Sequence, residues 1–404
     1  MYIAYFTLHD NQRNKTENNM RNCNDRLLSL LTCAIRGESG QHVLAAPVSE
    51  EEIRAIFDLA KKHDLTHLIG AALETTEPQD KKRYKPFFGE SIKAMYRYEW
   101  LKGEQDKMYA LLEQYGIPYI PLKGAIIRKL YREPWHRTSC DIDILVPQER
   151  LEEALAAFEN DLSYTRGERS LHDVSLTAPN GVHFELHFNM DEVYVDCAEL
   201  WADAQQAAPE SCQYTLSAEM LILTHIAHMA KHFVNGGCGL RPFLDLWLMR
   251  EKLPYDRDKL SQMLDSHGLT KFSSAMFGLV DVWFDGKTAN ETEMMIQAFI
   301  LPAGVYGDLN NKISVTRSEG KGKLAYAIQR IFPPRSSLRI AYPVLNRHPR
   351  LLPICWVRRW IRLIRAGKLK QVKTEYDINR RLDADKLNHT SELLKRLELK
   401  MGKN

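Results

Sequence analysis

No hydrophobic stretch of this 404-residue sequence reaches the roughly 18 apolar residues that a transmembrane helix needs. The first residues also lack the basic head and apolar core of a secretory signal, so we do not expect secretion. Residues 1–23 are polar and rich in asparagine, which predicts a disordered leader and leaves Met20 as an alternative start.

The sequence has no C-x-x-C pair, and its seven cysteines are scattered along the chain. An odd number of separated cysteines suits neither a disulfide framework nor a zinc site built on paired thiolates. Reduced thiols are typical of the cytoplasm, and we therefore expect a cytoplasmic protein. The cysteines are Cys23, Cys33, Cys140, Cys197, Cys212, Cys238 and Cys355.

Acidic residues are absent between 331 and 374. From Lys312 onward the chain has 23 Lys or Arg against 7 Asp or Glu, whereas the net charge of the whole chain is only +3. The last part is therefore strongly basic and the preceding part acidic. Such segregation is typical of surfaces that meet nucleic acid, anionic lipid or an acidic ligand. The alternative is that these basic residues pair with acidic residues elsewhere in the chain.

One segment of the basic part is also amphipathic. At helical spacing its aliphatic residues form a stripe, with tryptophans at the border and arginines on the other faces. Such a helix can lie on an anionic membrane or bind a nucleic-acid backbone, and the alternative is that the stripe packs on its own protein. The stripe is Ile354, Val357, Ile361 and Ile364; the tryptophans are Trp356 and Trp360; the arginines are Arg358, Arg359, Arg362 and Arg365.

Helical patterns flank one short segment of mixed character. Upstream, Ser49 and Glu52 form a capping box, and a long helix is predicted from Gly89 to Tyr115. Downstream, Ser217 caps a further helix. We divide the chain into a leader at 1–23, a helical region at 24–105, an α/β core at 106–200, a helical region at 201–310 and a basic helical region at 311–404.

Within the core the order of elements is strand, helix, strand, helix and hairpin. The first strand is predicted at 117–122, a helix follows Gly124, and "DIDILV" is the second strand. The segment "QERLEEALAAFEN" has the apolar spacing of a helix. The hairpin then turns at Asn180-Gly181, which is the strongest short hairpin signal.

Two aspartates stand two positions apart in the second strand. Because alternate strand residues share a face, Asp141 and Asp143 project together, and Glu185 on the hairpin joins them if its strand lies next to theirs. Grouped carboxylates repel one another unless a cation lies between them. A hard divalent ion such as Mg²⁺ prefers oxygen ligands of this kind.

A glycine turn precedes these strands and enters a predicted helix. The N–H groups at a helix N-terminus bind phosphate, and Lys123 beside Gly124 offers a point charge to a phosphate oxygen. A phosphate cradle combined with three carboxylates is what metal-assisted phosphoryl or nucleotidyl transfer requires.

The segments "LKG", "CDIDILV" with Arg137 before it, and "FELHF" resemble the uncharacterised nucleotidyltransferase family of the polymerase-β-like superfamily. They lie within residues 122–188, and the helical flanks resemble the family more loosely. The resemblance implies an α+β fold with a small mixed-sheet nucleotidyltransferase core, flanked by N- and C-terminal helical segments. In one departure, Lys-Gly-Ala replaces the usual Gly-Ser or Gly-Gly, so Ala125 offers no hydroxyl to a triphosphate.

The resemblance also implies an activity and its site. A nucleoside monophosphate would pass from an NTP to an unidentified hydroxyl acceptor, which could be a small molecule, a sugar, a protein or RNA. Asp141 and Asp143 would hold Mg²⁺ or Mn²⁺, and Glu185 would bind a second metal or act as general base. Lys123, Gly124 and Arg137 would contact phosphates, although Arg137 could be a plain surface residue.

Several histidines are candidates for substrate-facing residues, and His187 could either meet substrate or orient the Glu185 carboxylate. His187 shares the strand face of Glu185, and three histidines of the next helical region share one helix face. With Asp245 these three could bind a metal, or they could form a substrate-facing or structural polar network with Arg241 and Asp245. The family resemblance favours the network. The three helical histidines are His225, His228 and His232.

Three other functions are compatible with the sequence. The chain could be a catalytically inactive nucleotide-binding or regulatory protein. It could be an RNA-modifying, toxin-like transferase that holds RNA through its basic part, or a hydrolase built on the helical histidines. Three intact carboxylates favour an active transferase over an inactive relative.

Overall fold

A computed structural model describes residues 22–44, 48–74, 78–190, 193–305, 307–318, 322–339 and 341–399. The predicted disordered leader at 1–23 therefore lies outside the described residues except at its end. Residues 22 and 23 already belong to the first helix.

Within the described residues, four α-helices precede the sheet. The predicted capping box is present at the second helix, because Ser49 accepts a hydrogen bond from the Glu52 N–H while the Glu52 carboxylate accepts one from the Ser49 N–H. The helices are α1 (22–36), α2 (Glu50–Lys62), α3 (Thr66–Ala72) and α4 (Pro78–Gln114).

Helix α4 is longer than the sequence predicts. It begins at Pro78 rather than at Gly89 and continues through Pro86, although proline has no N–H for the helical ladder. Tyr84 and Phe87 are buried on either side of that proline, so packing into the core outweighs the lost hydrogen bond. The end near Tyr115 is as predicted, and Gly116 follows it with a φ of +59°.

The sheet has five strands in the order β1-β2-β5-β4-β3. The second and fifth strands run parallel and all other neighbours are antiparallel, so the sheet is mixed. The predicted α+β fold with a mixed-sheet core between helical segments is confirmed. The elements are β1 (Ile120–Pro121), α5 (Gly124–Ile127), β2 (Asp141–Leu145), α6 (Leu151–Leu162), β3 (Thr165–Arg169), β4 (Asp173–Thr177) and β5 (His183–His187).

The hairpin of β4 and β5 is as predicted, and Gly181 has the positive φ of +90° that its turn requires. Two other strands differ from the prediction. The first strand shortens from 117–122 to the two residues of β1, and Tyr119 forms an isolated bridge with Gln213 instead. Strand β3 was not predicted, because all five of its residues are exposed and it shows no apolar alternation.

One face of the sheet forms a core with α4 and α6. Ile142 and Ile144 are buried there, next to an aromatic cluster in which Phe158, Tyr164 and Phe184 have ring centroids 5.2–5.8 Å apart. The side chains that alternate with these along β2 and β5 point to the opposite face. That face, which carries the acidic residues, lies towards the helices that follow.

Those later helices complete the molecule. Among the described residues no helix is long and apolar enough to cross a membrane.

The proposed boundary at 105/106 falls inside α4 and that at 200/201 inside α7, so the five-part division stays a prediction. The elements are α7 (Cys197–Asp203), β6 (Gln205–Gln206), β7 (Tyr214–Thr215), α8 (Ala218–Val234), α9 (Arg241–Lys252), α10 (Arg257–Ser266), α11 (Thr270–Phe284), α12 (Glu291–Ile300), α13 (Leu309–Ser318), α14 (Lys323–Ile331), α15 (Arg335–Leu338), α16 (Val344–Arg347), α17 (Leu352–Arg365), α18 (Leu369–Arg381) and α19 (Ala384–Arg396).

Candidate active site

The acidic face of the sheet brings together residues from β2 and β5. In the parallel pairing Asp143 stands opposite Glu185 and Asp141 stands opposite His183. Side chains directly opposite one another in neighbouring strands share a face. Asp141, Asp143 and Glu185 therefore lie on one face, as their spacing predicts, and His187 joins them from the end of β5.

Two cationic side chains contact Asp143, which is buried. His187 Nε2 lies 3.0 Å from Asp143 Oδ1 and 3.5 Å from Glu185 Oε2, and Lys123 Nζ lies 3.5 Å from Asp143 Oδ1. Burial disfavours the imidazolium, but its hydrogen bonds to Asp143 and Glu185 raise the pKa of His187 to about 9. Burial opposes ionisation of Asp143 too, yet the Lys123 charge and the His187 hydrogen bond hold the pKa of this carboxyl well below its usual range.

The third and fourth groups of the cluster are shifted in opposite directions. The hydrogen bond from His187 lowers the pKa of Glu185. Burial, followed by the charge of Asp143, raises the pKa of Asp141. Lys123 and His187 thus contact Asp143 and Glu185 directly, whereas the pKa of Asp141 is raised by burial and by the neighbouring carboxylate charge. A further cation at this face would relieve that repulsion.

A metal ion fits part of this cluster. Within the described part of the chain, Asp143, Glu185 and His187 form the one group of three whose ligand atoms all lie within 4.8 Å of one another. Asp141 is outside this group, although it was predicted to be a ligand, and His187 takes its place. Oxygen ligands suit Mg²⁺ or Mn²⁺, whereas the imidazole of His187 already donates to both carboxylates. The donor set therefore suits a hard divalent ion held by carboxylates.

The turn at Lys123 differs from the predicted phosphate cradle. Helix α5 has only four residues, so its N-terminus is a single turn rather than the end of a long helix. Lys123 has a φ of +42°, in the left-handed region that non-glycine residues rarely adopt, and such strain is common at functional sites. Lys123 therefore combines this backbone conformation with an ammonium group that lies beside Asp143.

Gly124 leaves room for the close approach of an arginine. A Cβ at this position would lie 2.7 Å from Arg137 Nη1. Arg137 itself donates through Nε and Nη2 to Asp245 at 2.9–3.1 Å, and Tyr131 donates to the same carboxylate at 2.8 Å. Arg137 was predicted to contact phosphate; the structure directs two of its nitrogens to Asp245 and places Nη1 at the Gly124 turn.

The three helical histidines and Asp245 do not form the metal site that was one alternative. Among the described residues, no three of their ligand atoms lie within 4.8 Å of one another, as those of Asp143, Glu185 and His187 do. His225 Nε2 hydrogen-bonds to the Pro242 carbonyl of α9, and the Nε2 atoms of His228 and His232 lie 2.9 Å apart. Burial lowers the pKa of His225 and of His228. The contact of His225 joins α8 to α9, and that between His228 and His232 lies within α8.

Arg241 lines the same cavity but its ion-pair partner lies in the turn between α2 and α3. It forms an ion pair with Asp64, whose carboxylate also accepts a hydrogen bond from Thr138 at 2.8 Å. Asp64 lies 177 positions from Arg241, and sequence patterns contain no signal for such a pair. The ion pair thus connects the turn after α2 to the start of α9, and the Thr138 hydrogen bond connects the same turn to the segment that leads into β2.

A cavity of about 320 Å³ separates the acidic face of the sheet from α8 and α9. Asp141 and Asp143 open into it, as do the Lys123 turn and most of the predicted substrate-facing residues. Glu185 and His187 are not part of its lining. Predicted residues that line it are Lys123, Gly124, Arg137, Asp141, Asp143, His225, His228, His232, Arg241 and Asp245.

Ser139 lines the same cavity and was not singled out from the sequence. Its hydroxyl accepts a hydrogen bond from Arg128 Nη2 at 2.8 Å, and its Cβ would lie 3.6 Å from a Cβ at position 124. A hydroxyl is therefore present beside the turn although Ala125 has none. Its position two residues before Asp141 is the one sequence signal that could have identified it.

These features are those of a nucleotidyltransferase core: a mixed sheet, an acidic strand pair and a glycine turn that border one cavity. A model of the family described as uncharacterised nucleotidyltransferase matches residues 49–285, which is more than half of the chain. The chain belongs to this family, and we class it as a transferase.

Other comparisons add little to this assignment. A solved structure of the antibiotic-resistance factor ANT(2'')-Ia is similar with 16% sequence identity and a TM-score of 0.32, over 42% of this chain and 91% of that one. A likeness of this size does not bear on function. No curated protein matches the chain.

Proposed function

We propose that this protein is a cytoplasmic enzyme that transfers a nucleoside monophosphate from an NTP to a hydroxyl acceptor with Mg²⁺ or Mn²⁺. The observation that supports this most is the convergence of Asp141, Asp143 and Glu185 on one sheet face, of which the two aspartates open into a cavity. Family membership supports the same reaction class.

The metal-holding residues would be Asp141, Asp143 and Glu185, with Asp143 common to the three-ligand group that contains Glu185 and to the cavity lining that contains Asp141. A divalent ion bound there would neutralise charge on the α-phosphate and on the departing pyrophosphate. The position of Glu185 within the three-ligand group favours a ligand role over that of a general base in the cavity. His187 would orient the Asp143 and Glu185 carboxylates through its hydrogen bonds, as partners of metal ligands commonly do.

The remaining polar residues of the cavity would bind the substrates. Lys123 offers an ammonium group at the turn, and Arg137 offers Nη1. In the reaction the acceptor oxygen bonds to the α-phosphorus, the bond from that phosphorus to the bridging oxygen breaks, and pyrophosphate leaves. The hydroxyl proton passes to solvent or to a carboxylate. Neutral His225 and His228 suit hydrogen bonding to an uncharged part of the nucleotide or acceptor.

The test is release of pyrophosphate from each NTP with Mg²⁺ or Mn²⁺, in buffer alone and with cell extract as a source of acceptor. We expect release that requires extract and is lost in Asp143→Asn and Asp141→Asn. Glu168→Gln is the matched control, because Glu168 is an exposed carboxylate of the same sheet. Circular dichroism checks that each variant folds. Release that persists in both aspartate variants would disprove the assignment.

A second function is favoured by one observation. Lys123 and His187 both contact Asp143 and compensate its charge, as expected for a nucleotide-binding or regulatory protein that does not catalyse transfer. This alternative predicts NTP binding with no pyrophosphate release under any condition. Calorimetric titration with each NTP, run beside the release assay, distinguishes the two functions.

A further inference from the structure

The aliphatic stripe of helix α17 is exposed to solvent. Of its fourteen residues only Cys355 is buried. Ile354 is 57% exposed, Val357 59%, Ile361 43% and Ile364 56%. The expectation that this stripe could pack on its own protein is therefore wrong among the described residues.

The stripe points away from the side of the helix that packs on the protein. At about 100° per residue, its four members lie within about 80° of one another, and Cys355 lies about 100° from Ile354, the nearest of them. On the stripe's other border Trp360 donates its indole N–H to the Ile331 carbonyl at 3.1 Å. Trp356 donates to the Pro333 carbonyl at 2.8 Å. The helix is thus held to the molecule by one face while its aliphatic face stays open.

Helix α14 repeats this arrangement where it meets α17. Leu324, Ile328 and Ile331 are 74%, 51% and 41% exposed and follow i, i+4, i+7 spacing, whereas Tyr326 is buried. Phe332, 49% exposed, packs its ring against Trp356 with centroids 5.1 Å apart. We call the exposed residues the outward apolar set: Leu324, Ile328, Ile331, Phe332, Ile354, Val357, Ile361 and Ile364.

Basic side chains surround this set. Between 331 and 374 the sequence has eleven Lys or Arg and no acidic residue, and all except the half-buried Arg359 are exposed. In the part of the chain that the structure describes, none of the eleven forms an ion pair; the nearest pair, Arg330 with Glu375, lies just outside. Of the basic part from Lys312 onward, Arg396 does pair with an acidic residue of the preceding part, Glu291, but the eleven residues between 331 and 374 do not follow this alternative within the described residues.

We propose that the outward apolar set and its basic surround dock on the surface of an anionic phospholipid bilayer. Aliphatic side chains enter the acyl boundary, arginines bind headgroup phosphates, and tryptophans suit the interface between them. The described helices lack the length and apolarity to span the bilayer, so α17 would lie along its surface. This proposal does not depend on nucleotidyl transfer.

Charge and side-chain chemistry distinguish the bilayer from two other occupants. An RNA backbone would use the arginines but leave the exposed isoleucines and valine without a partner. A second copy of the chain would cover the aliphatic stripe but place two strongly basic regions against each other. An anionic bilayer offers acyl chains to the aliphatic side chains and phosphates to the arginines, so it suits both parts of this surface.

The test uses the full chain in flotation with vesicles of phosphatidylcholine alone or mixed with phosphatidylglycerol. We expect binding to the mixed vesicles only, weaker at high salt. Val357→Asn/Ile361→Asn and Arg358→Gln/Arg362→Gln/Arg365→Gln should each reduce binding at least about tenfold. These side chains are exposed, so the variants should fold, which circular dichroism checks.

The matched control is Leu171→Asn/Met294→Asn, since Leu171 and Met294 are 59% and 54% exposed outside the basic region. It should bind vesicles as the unaltered chain does. No binding to anionic vesicles would overturn the proposal. So would salt-sensitive RNA binding with no vesicle binding, or a dimer in sedimentation equilibrium that the Val357→Asn/Ile361→Asn variant converts to monomer.

Discussion

Asp143 and His187 form a buried charged pair across two parallel strands, with Nε2 of the imidazole 3.0 Å from Oδ1 of the carboxylate. The two residues are 44 positions apart in the chain. The imidazolium also reaches Glu185, so one side chain orients two carboxylates of the acidic face. This pair has consequences for stability and for metal binding.

Replacing the imidazole of His187 should lower both the stability of the fold and the affinity of the site for a metal ion. In His187→Gln the buried Asp143 loses a charge-assisted hydrogen bond, and we expect a loss of about 2 kcal/mol in the free energy of unfolding. Because the carboxylates lose their orientation, affinity for Mn²⁺ should fall about tenfold. Urea denaturation and calorimetric titration with Mn²⁺ measure the two effects. His183→Gln, an exposed histidine of the same strand, should change stability by less than about 0.5 kcal/mol. Equal effects in the two variants would contradict this role.

The two aspartates of β2 should respond oppositely to the same substitution. Asp141 has a raised pKa, so at neutral pH its ionised form destabilises the fold, and Asp141→Asn should raise the free energy of unfolding of the metal-free chain. Asp143 has a lowered pKa, so its ionised form stabilises the fold and Asp143→Asn should destabilise it. Chemical denaturation without metal gives both values, and equal signs would contradict this opposite response.

Arg137 and Asp245 should be strongly coupled. Arg137→Met leaves the buried Asp245 without its guanidinium partner, which should lower the free energy of unfolding by about 3–5 kcal/mol. Asp245→Leu leaves the buried arginine without its carboxylate partner and should have a similar effect. The double variant should cost less than the two single variants added together, with a coupling of about 1–3 kcal/mol. A double-mutant cycle by urea denaturation measures it. The exposed pair of Arg166 and Glu159 is the control and should couple by less than about 1 kcal/mol. If the losses of unfolding free energy in the two single variants simply add, the guanidinium of Arg137 does not stabilise Asp245 and is instead available to bind a ligand.

Three buried histidines should make the fold sensitive to mild acid. Burial lowers the pKa of His63, of His67 and of His136 to about 4, against an ordinary value of 6.5. As pH falls from about 6.5 to about 4 the unfolded chain takes up protons that the folded chain does not, so stability is lost across that window.

The contribution of His63 to this loss can be isolated. Its Nδ1 accepts from the Leu240 N–H at 3.3 Å while its Nε2 donates to the Leu301 carbonyl at 3.2 Å, so protonation would break the first contact. In His63→Asn the slope of unfolding free energy against pH should fall by up to about 1.4 kcal/mol per pH unit in the window. An unchanged slope would show that this histidine is protonated in the folded chain.

Local patterns were enough for the elements with clear periodicity. The alternation along "DIDILV" and "FELHF" predicted the shared face of Asp141, Asp143 and Glu185, and Asn180-Gly181 predicted the hairpin. Strand β3 could not be found this way because its residues are polar and exposed. The start of α4 was missed because Pro86 is tolerated only by virtue of the core around it.

Local sequence patterns could not predict which side chains the site residues contact. Arg137 had been assigned to phosphate, but its main contact is Asp245, 108 positions away. No periodicity connects segments so distant. The compensation of Asp143 by Lys123 and His187 likewise depends on the fold, because three segments must meet before the charges interact.

The parallel pairing of β2 with β5 also sets the order in which the site can form. Between these neighbours the chain makes α6, β3 and β4, whereas the hairpin of β4 and β5 is local. Local pairs close early in folding, and closure of a long crossover comes later because more chain entropy is lost. During refolding, metal affinity at Asp143 and Glu185 should therefore appear after the hairpin, as a marker of the final step of sheet assembly.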